Sequence, residues 1–582
     1  MVSVLLPASL LLAALLLIPE LFGDFAAYQI GLYLIYGIAA QGIGFLWGKT
    51  GVLPLGEALF FGIAAYATAI TLRADPGLIA ELSLALGVLL AIALFAFVLA
   101  ALIFRGRNES GPYFSLITLA LVMIAEQIAG TATGLTGGFN GISGYRSLGN
   151  LDPFGGFYHV IVAVAVSVSL LLLLLNRLPV NLIMQAVADN EPRLQLLGFP
   201  THALKGAAFA VSAVIAALAG GLFASHQGIV TPTATGFGLS AELVILTAVG
   251  GRFHVFGPLI GAVCVGWASA ELRDSFPYWE LLMAGVFILV VLRAPGGIAE
   301  LLDSALRRIR PRRAGTTPPA PLAAPPARVA DLAGPLRFDD VQLRIGLVRI
   351  LNGVTFELPR KGIVSVIGPN GAGKTSTLNT ITGNLPITGG RILLGTHDIA
   401  SRPPYKALRS GIGRKLQVPS VFFSMSVAEN LSIAMMANRA RLRDLLHPAT
   451  FRWRSDALSR LLATPSVPLG TETGKPVSQL PQGHRQFLEY AMTIAAEPPV
   501  LLLDEPCAGL SPDETALMTD LVRAYQAQTG GLVIVIEHDM SIVEAISDKV
   551  LVLHLGQVLA YDSYAAVRRS PAVQAVYAGG TK

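Results

Sequence analysis

Long apolar runs fill the first half of the chain and vanish from the second. A helix needs roughly 20 mostly apolar residues to cross a hydrocarbon core. Runs that approach or exceed that length stand near 4–22, 27–46, 52–72, 80–104, 113–129, 157–175, 206–225, 240–250, 254–271 and 278–293. Residues 1–300 therefore read as a polytopic α-helical membrane domain of about ten spans. The eighth run is short; it is kept because dropping it inverts every span before it and spoils the charge pattern described below. No positive leading region and no clear small-residue cleavage site accompany the first run, so a cleaved signal peptide is not expected. Glycines recur inside the runs (Gly37, Gly42, Gly62, Gly220, Gly221, Gly257, Gly261), as close helix approach requires. Residues 311–335 hold seven prolines among Ala, Arg and Thr, so 301–335 reads as a linker, basic at first and then Pro/Ala-rich. From 336 to 582 short apolar strands alternate with helical stretches, as Ile363–Ile367 is followed by Lys374–Ile381. That alternation predicts an α/β domain, with a more helical insert at roughly 420–490.

Composition agrees with this division. The 582 residues exceed one core, and they are 53% hydrophobic and 14% charged, against about 25% charged in soluble chains. The net charge of +5 does not point to nucleic acid, because Arg307, Arg308, Arg310, Arg312 and Arg313 follow the last apolar run, a membrane-flanking position. With a cytoplasmic N-terminus, the inner loops hold Lys49, Arg105, Arg107, Arg177, Arg193, Lys205 and Arg252, and the outer loops only Arg73, Arg146 and Arg273. This bias obeys the positive-inside tendency and delivers the second half to the cytoplasm. The two cysteines, Cys264 and Cys507, exclude a disulfide framework and read as packing residues.

The second half carries phosphate chemistry. The strand 363-IVSVI-367 runs into Gly368, Pro369, Asn370, Gly371, Ala372, Gly373, Lys374 and Thr375, with Ser376 next. This is a G-x-x-x-x-G-K-[ST] loop in its required strand–loop–helix context. Its glycines let backbone N–H groups face phosphates, the helix N-terminus favours anions, Lys374 reaches the β/γ phosphates of ATP, and the Thr375 hydroxyl suits Mg²⁺. The apolar strand 500-VLLLDEP-506 ends in Asp504, suited to the Mg²⁺ shell, and Glu505, suited to activating water. A third strand, 533-VIVI-536, leads to His538, placed to touch the γ-phosphate. Gln417 precedes the helical insert and proves nothing alone.

Taken together these residues resemble the ABC ATPase family: Walker A at 368–375, Q-loop Gln417, Walker B at 500–504, catalytic Glu505 and switch His538. The strings 366-VIGPNGAGKTS-376, 428-AENLSIA-434, 505-EPCAGLSPDET-515 and 573-VQAVYAG-579 are similar to Liv-type importers of branched-chain amino acids and their urea and amide relatives. The first half resembles permeases of the same systems through 53-LPLGEALFFGIAAYATA-69, 113-YFSLITLA-120, 134-GLTGGFNGI-142 and 249-VGGRFHVFGPLIGA-262. The resemblance implies a fusion of a LivM-like permease with a LivG-like ATP-binding subunit, in which Gln417 joins Thr375 and Asp504 at Mg²⁺. It also implies that Glu191, Arg193, Leu194 and Leu197, in the inner loop 188–198, form a coupling helix whose Leu194, Leu196 and Leu197 press into an ATPase groove. A plain amphipathic helix on the membrane surface is the alternative.

Three departures stand out. The signature segment reads Leu480, Pro481, Gln482, Gly483 and His484, with proline where the family carries a serine that bonds the opposite subunit's γ-phosphate. Proline offers neither hydroxyl nor N–H, so a site completed by this segment is expected to hydrolyse poorly. Ile345 occupies the place of an adenine-stacking aromatic. Glu57 stands inside a span where relatives carry His or Gln, which makes it a candidate for the substrate path, with helix packing as the alternative.

The expectation is an ATP-driven importer of small amino acids in the inner membrane. It requires a second permease and ATPase half, heteromeric rather than a second copy and either separate or also fused, and an external substrate-binding protein. A urea or short-amide importer of the same family is the first alternative. An exporter half-transporter and a channel with a regulatory ATPase are the others.

Overall fold

A computed structural model describes residues 12–105, 111–273, 276, 278–294, 296–309, 334–437, 439–440, 442–446 and 455–578. Nearly all of the proline-rich stretch 311–335 and the start of the first apolar run, 4–11, lie outside them, as does Arg107. The chain forms two compact units, Met1–Ala188 with His202–Thr317 and Asp189–Thr201 with Pro318–Lys582.

In the first unit, six helices among the described residues are long and apolar enough to span a membrane: Ile18–Thr50, Glu57–Ala74, Leu78–Phe104, Gly111–Thr131, Gly156–Leu175 and Thr201–Gln227. The expected count of about ten is not confirmed by these six. Ile18–Thr50 takes in the second predicted run and the end of the first, and it breaks at Gly23 (φ 81, ψ 171). Phe237–Gly250, Gly257–Arg273 and Trp279–Arg293 are 14, 17 and 15 residues long. At 1.5 Å per residue none reaches across a core of about 30 Å when upright. Hydropathy alone finds such segments but cannot report where the backbone stops being helical. Gly297–Ile309 continues the helical structure into the basic stretch.

Backbones in this unit meet through missing side chains. A Cβ on Gly220 would lie 1.9 Å from the Phe61 carbonyl oxygen, and one on Gly261 would lie 2.2 Å from that of Leu246. Two extended pairs, β1 (Ile142–Ser143) and β2 (Ile229–Val230), join antiparallel and tie together the loops that flank them. The buried Gln41 amide donates to Ser169 Oγ at 2.9 Å and to the Val255 carbonyl at 2.8 Å.

The second unit is built on two sheets. β3 (Leu336–Ile345), β4 (Val348–Leu358), β6 (Gly389–Leu394) and β7 (His397–Asp398) form an antiparallel sheet in the order β4-β3-β6-β7. Residues on β3 alternate between buried and open faces, as expected where one face is solvated. The other sheet has the order β12-β11-β5-β10-β9-β8, from β5 (Gly362–Ile367), β8 (Ile412–Lys415), β9 (Val500–Asp504), β10 (Leu532–Ile536), β11 (Lys549–His554) and β12 (Gln557–Asp562). All neighbours are parallel except β11 and β12. Its central strands are buried on both faces, which is why they read as unbroken apolar runs. The insert is helical at Val427–Met436, Asp456–Ala463 and Gln482–Ile494.

Candidate functional site

Parallel register decides where the chemistry lies. Ile536 of β10 pairs with Asp504 of β9 on one side and with Val366 of β5 on the other. The loop after β5, the acids ending β9 and His538 after β10 therefore share one edge of the sheet, the carboxyl edge where ligands bind in open α/β folds.

Gly368 leads out of β5 at φ 153, and Gly371 and Gly373 follow at φ 80 and φ 98. A Cβ on Gly368 would sit 2.2 Å from the Leu553 carbonyl oxygen, so glycine is sterically required there. Gly373 caps the nine-residue helix Lys374–Thr382 without a side-chain bond, leaving its first N–H groups open to an anion. Lys374 bends back to donate to the carbonyls of Gly368 at 2.8 Å and Pro369 at 3.1 Å. Burial pulls its ammonium pKa down, while Glu505 and Asp504 push it back up.

Asp504 is buried, and neither carboxylate oxygen has a hydrogen-bond partner among the described residues. Burial raises its pKa; the Arg414 guanidinium, 3.6 Å away, opposes this, with the Thr375 hydroxyl close by. A buried carboxylate with one ion pair at 3.6 Å and a hydroxyl close by fits a hard cation such as Mg²⁺, which prefers oxygen ligands and completes its shell with phosphates. Glu505 adopts φ 46, a left-handed conformation rarely populated by non-glycine residues, and its Oε1 lies 2.9 Å from His538 Nε2. Its neighbour Cys507 is buried, with its thiol pKa pushed up to about 12 by burial and then by Glu537. Gln417 is exposed, two residues beyond β8, whose Lys415 pairs with Leu503 of β9. Ile345 closes β3 and is half exposed.

Pro481 is the N-cap of the helix Gln482–Ile494 and makes no side-chain bond. Leu480 is buried, and Gly483 lies so close to Glu514 that a Cβ would meet its Oε1 at 2.6 Å. His484 Nδ1 is 2.8 Å from Glu472 Oε2.

A family profile described as "Branched-chain amino acid transport system / permease component" matches residues 25–292, and one described as "ABC transporter" matches 351–508. The high-affinity branched-chain amino acid transport ATP-binding protein LivG of Escherichia coli (strain K12) is 35% identical over 248 residues, 42% of this chain and 97% of LivG. The chain belongs to the branched-chain amino acid ABC transporter family. The corresponding Pseudomonas aeruginosa protein BraF is 34% identical over 249 residues, 42% of this chain and 97% of its own. A nucleotide-free ATP-binding cassette from an ABC transporter, of known structure, is 25% identical and covers 42% of this chain and 98% of its own, with a TM-score of 0.36. This ABC transporter chain is thus a membrane protein that joins a permease half to an ATP-hydrolysing half.

Several residues of this ABC transporter chain gain partners that sequence reasoning did not foresee. The helix Pro179–Leu196 breaks at Asn190 (φ −151, ψ 82), just before Pro192. The following segment belongs to the ATPase unit. There Leu194, Leu196 and Leu197 are buried, as is Arg193, while Glu191 is half-buried. Asp189 accepts from the Ser424 N–H at 2.7 Å and its hydroxyl at 2.6 Å, and Asn190 donates to Ser420 Oγ at 3.0 Å. In the permease unit Glu57 is fully buried in the first turn of its helix and accepts from Ser212 Oγ at 2.6 Å. Its Oε2 has no partner among the described residues. The sequence signal for Ser212 was a serine inside an apolar run, too common to single out.

Proposed function

We propose that this chain is one half of an ATP-driven importer of branched-chain amino acids in the inner membrane, with its ATPase domain cytoplasmic. What carries the reading is a complete phosphate-handling edge, from Gly368 to His538, fused in one polypeptide to a permease-family half. Leu, Ile or Val is the proposed cargo, because both halves match proteins named for branched-chain amino acid transport.

The residues divide the work as follows. Backbone N–H groups from Gly371 to Thr375, with Ser376 in the same first turn, cradle the phosphates. Lys374 exchanges its carbonyl partners for phosphate oxygens. Thr375, Asp504 and Gln417 would hold Mg²⁺, which would supply positive charge to offset that of the phosphates. Glu505 takes a proton from the attacking water, and His538, already 2.9 Å from it, orients the carboxylate and meets the γ-phosphate.

The segment Leu480–His484 completes the nucleotide site of a second ATPase, and Pro481 makes that site a poor hydrolase. A heteromeric companion with an intact signature then serves this chain's own Lys374 and Glu505. Asp189–Thr201 supplies the coupling element, seated by Arg193, Leu194 and Leu197. Glu57 lines the substrate path, where its partnerless oxygen accepts an N–H or ammonium group. A second permease half and an external binding protein complete the assembly.

The test is ATPase activity of the assembled complex in lipid with its binding protein loaded by different solutes. Stimulation by leucine, isoleucine or valine is expected. Stimulation by urea or acetamide alone would reassign the cargo, and absence of ATP hydrolysis would end the reading.

A further inference from the structure

Charges in a protein interior persist only when paired and hydrogen-bonded, and the second unit buries a connected group of them. The Arg193 guanidinium donates to the Arg414 carbonyl at 2.9 Å, the Glu489 carbonyl at 3.2 Å and Thr493 Oγ1 at 3.0 Å, and it pairs with Glu489 Oε1 at 3.5 Å. Glu489, fully buried, also accepts from the Leu416 N–H at 2.9 Å and lies 3.6 Å from Lys415 Nζ. One carboxylate thus faces two buried cations and a backbone donor one residue before Gln417. It sits on the helix Gln482–Ile494, which begins at the signature residues. The strand that supplies Lys415 and leads into Leu416 also supplies Arg414, whose guanidinium pairs with Asp504 at 3.6 Å and donates to Asn379 and Thr382 of the phosphate-loop helix at 2.7 and 2.9 Å.

We propose that Glu489 is a positioning residue that ties Arg193 of the transport loop to both nucleotide-sensing elements, the strand entering Gln417 and the signature helix. The inference rests on the importer reading and gives it a specific mechanical link. Its physical basis is that such a network has few alternative arrangements. If the Gln417 strand or the signature helix shifts while Arg193 stays, fully desolvated bonds break with no water to replace them. The loop must follow, and displacement is passed on as a unit.

The test uses the complete complex in proteoliposomes and reads solute imported per ATP split, ATP affinity in EDTA and the melting temperature. Arg193→Met is expected to lower the import-to-hydrolysis ratio by about tenfold while ATP affinity stays within about twofold, and Arg193→Lys is expected to recover part of the ratio. Glu489→Gln strands two buried cations, so misfolding is a real hazard of that variant. Thr493→Val, which removes one acceptor of Arg193 and no charge, tests the same link and should shift the ratio in the same direction. An unchanged ratio in Arg193→Met and Thr493→Val overturns the proposal, as does a fall in ratio, affinity and melting temperature together. If the wild-type complex shows no ATP-dependent import, the importer reading itself has failed; if it imports and the variants keep its ratio, only the link has.

Discussion

At the scale of single residues, the phosphate edge is governed by burial. Lys374 donates to two carbonyls of its own loop, and its ammonium is the cation proposed to meet the phosphates. Lys374→Ala should weaken ATP binding on the order of 100-fold, measured by equilibrium titration of the complex. Pro481→Ser restores a hydroxyl at an N-cap that lacks a side-chain bond and should raise ATP turnover of the complex; unchanged turnover counts against a degenerate site. The Cys507 thiol, held up to about 12 by burial and by Glu537, stays protonated through neutral pH because its folded pKa lies above it. Maleimide labelling at pH 8 should therefore leave Cys507 unmodified in the folded protein and modify it after unfolding.

At the scale of elements, caps and close approaches carry the predictions. Ser511 and Glu514 exchange capping bonds at the start of Pro512–Thr529, which lies against the signature segment. Ser511→Ala should cost about 1 kcal/mol, read as a lower melting midpoint with ATP affinity kept. Gly220→Leu would drive a side chain into the Phe61 backbone and should abolish assembly of the permease half, read as loss of a monodisperse complex in detergent. The strands and loops of the ATPase were legible in the sequence because each catalytic group follows an apolar strand, and parallel register then aligns the strand ends without further information. Helix length was not legible. Short segments such as Phe237–Gly250 are as apolar as the longer helices, and hydropathy does not register the break at Gly23 inside Ile18–Thr50. Glu489, Lys415 and Arg414 were equally hidden, since charged residues on a helix or strand ordinarily face water and only the fold shows these buried. The two adjacent cations Arg414 and Lys415 on a strand about to be buried were the one available hint.

At the scale of the whole molecule, the account rests on one transfer of energy. As proposed, hydrolysis at the edge formed by Lys374, Asp504 and Glu505 drives solute movement through the half that includes Ile18–Thr50. The division of labour explains the composition: a first half too apolar to live in water and a second half with an ordinary α/β core. It also explains why the loop after Asn190 folds with the ATPase although it lies within the permease sequence. The most direct measurement is uptake of labelled leucine by proteoliposomes holding the complete complex and its binding protein, with ATP supplied on the ATPase side, for the wild type and for Glu505→Gln. The account predicts ATP-dependent accumulation above the external concentration by the wild type. It also predicts that Glu505→Gln lowers both hydrolysis and uptake by on the order of 100-fold or more. Equal uptake by the two proteins, or uptake that proceeds without ATP, would contradict it.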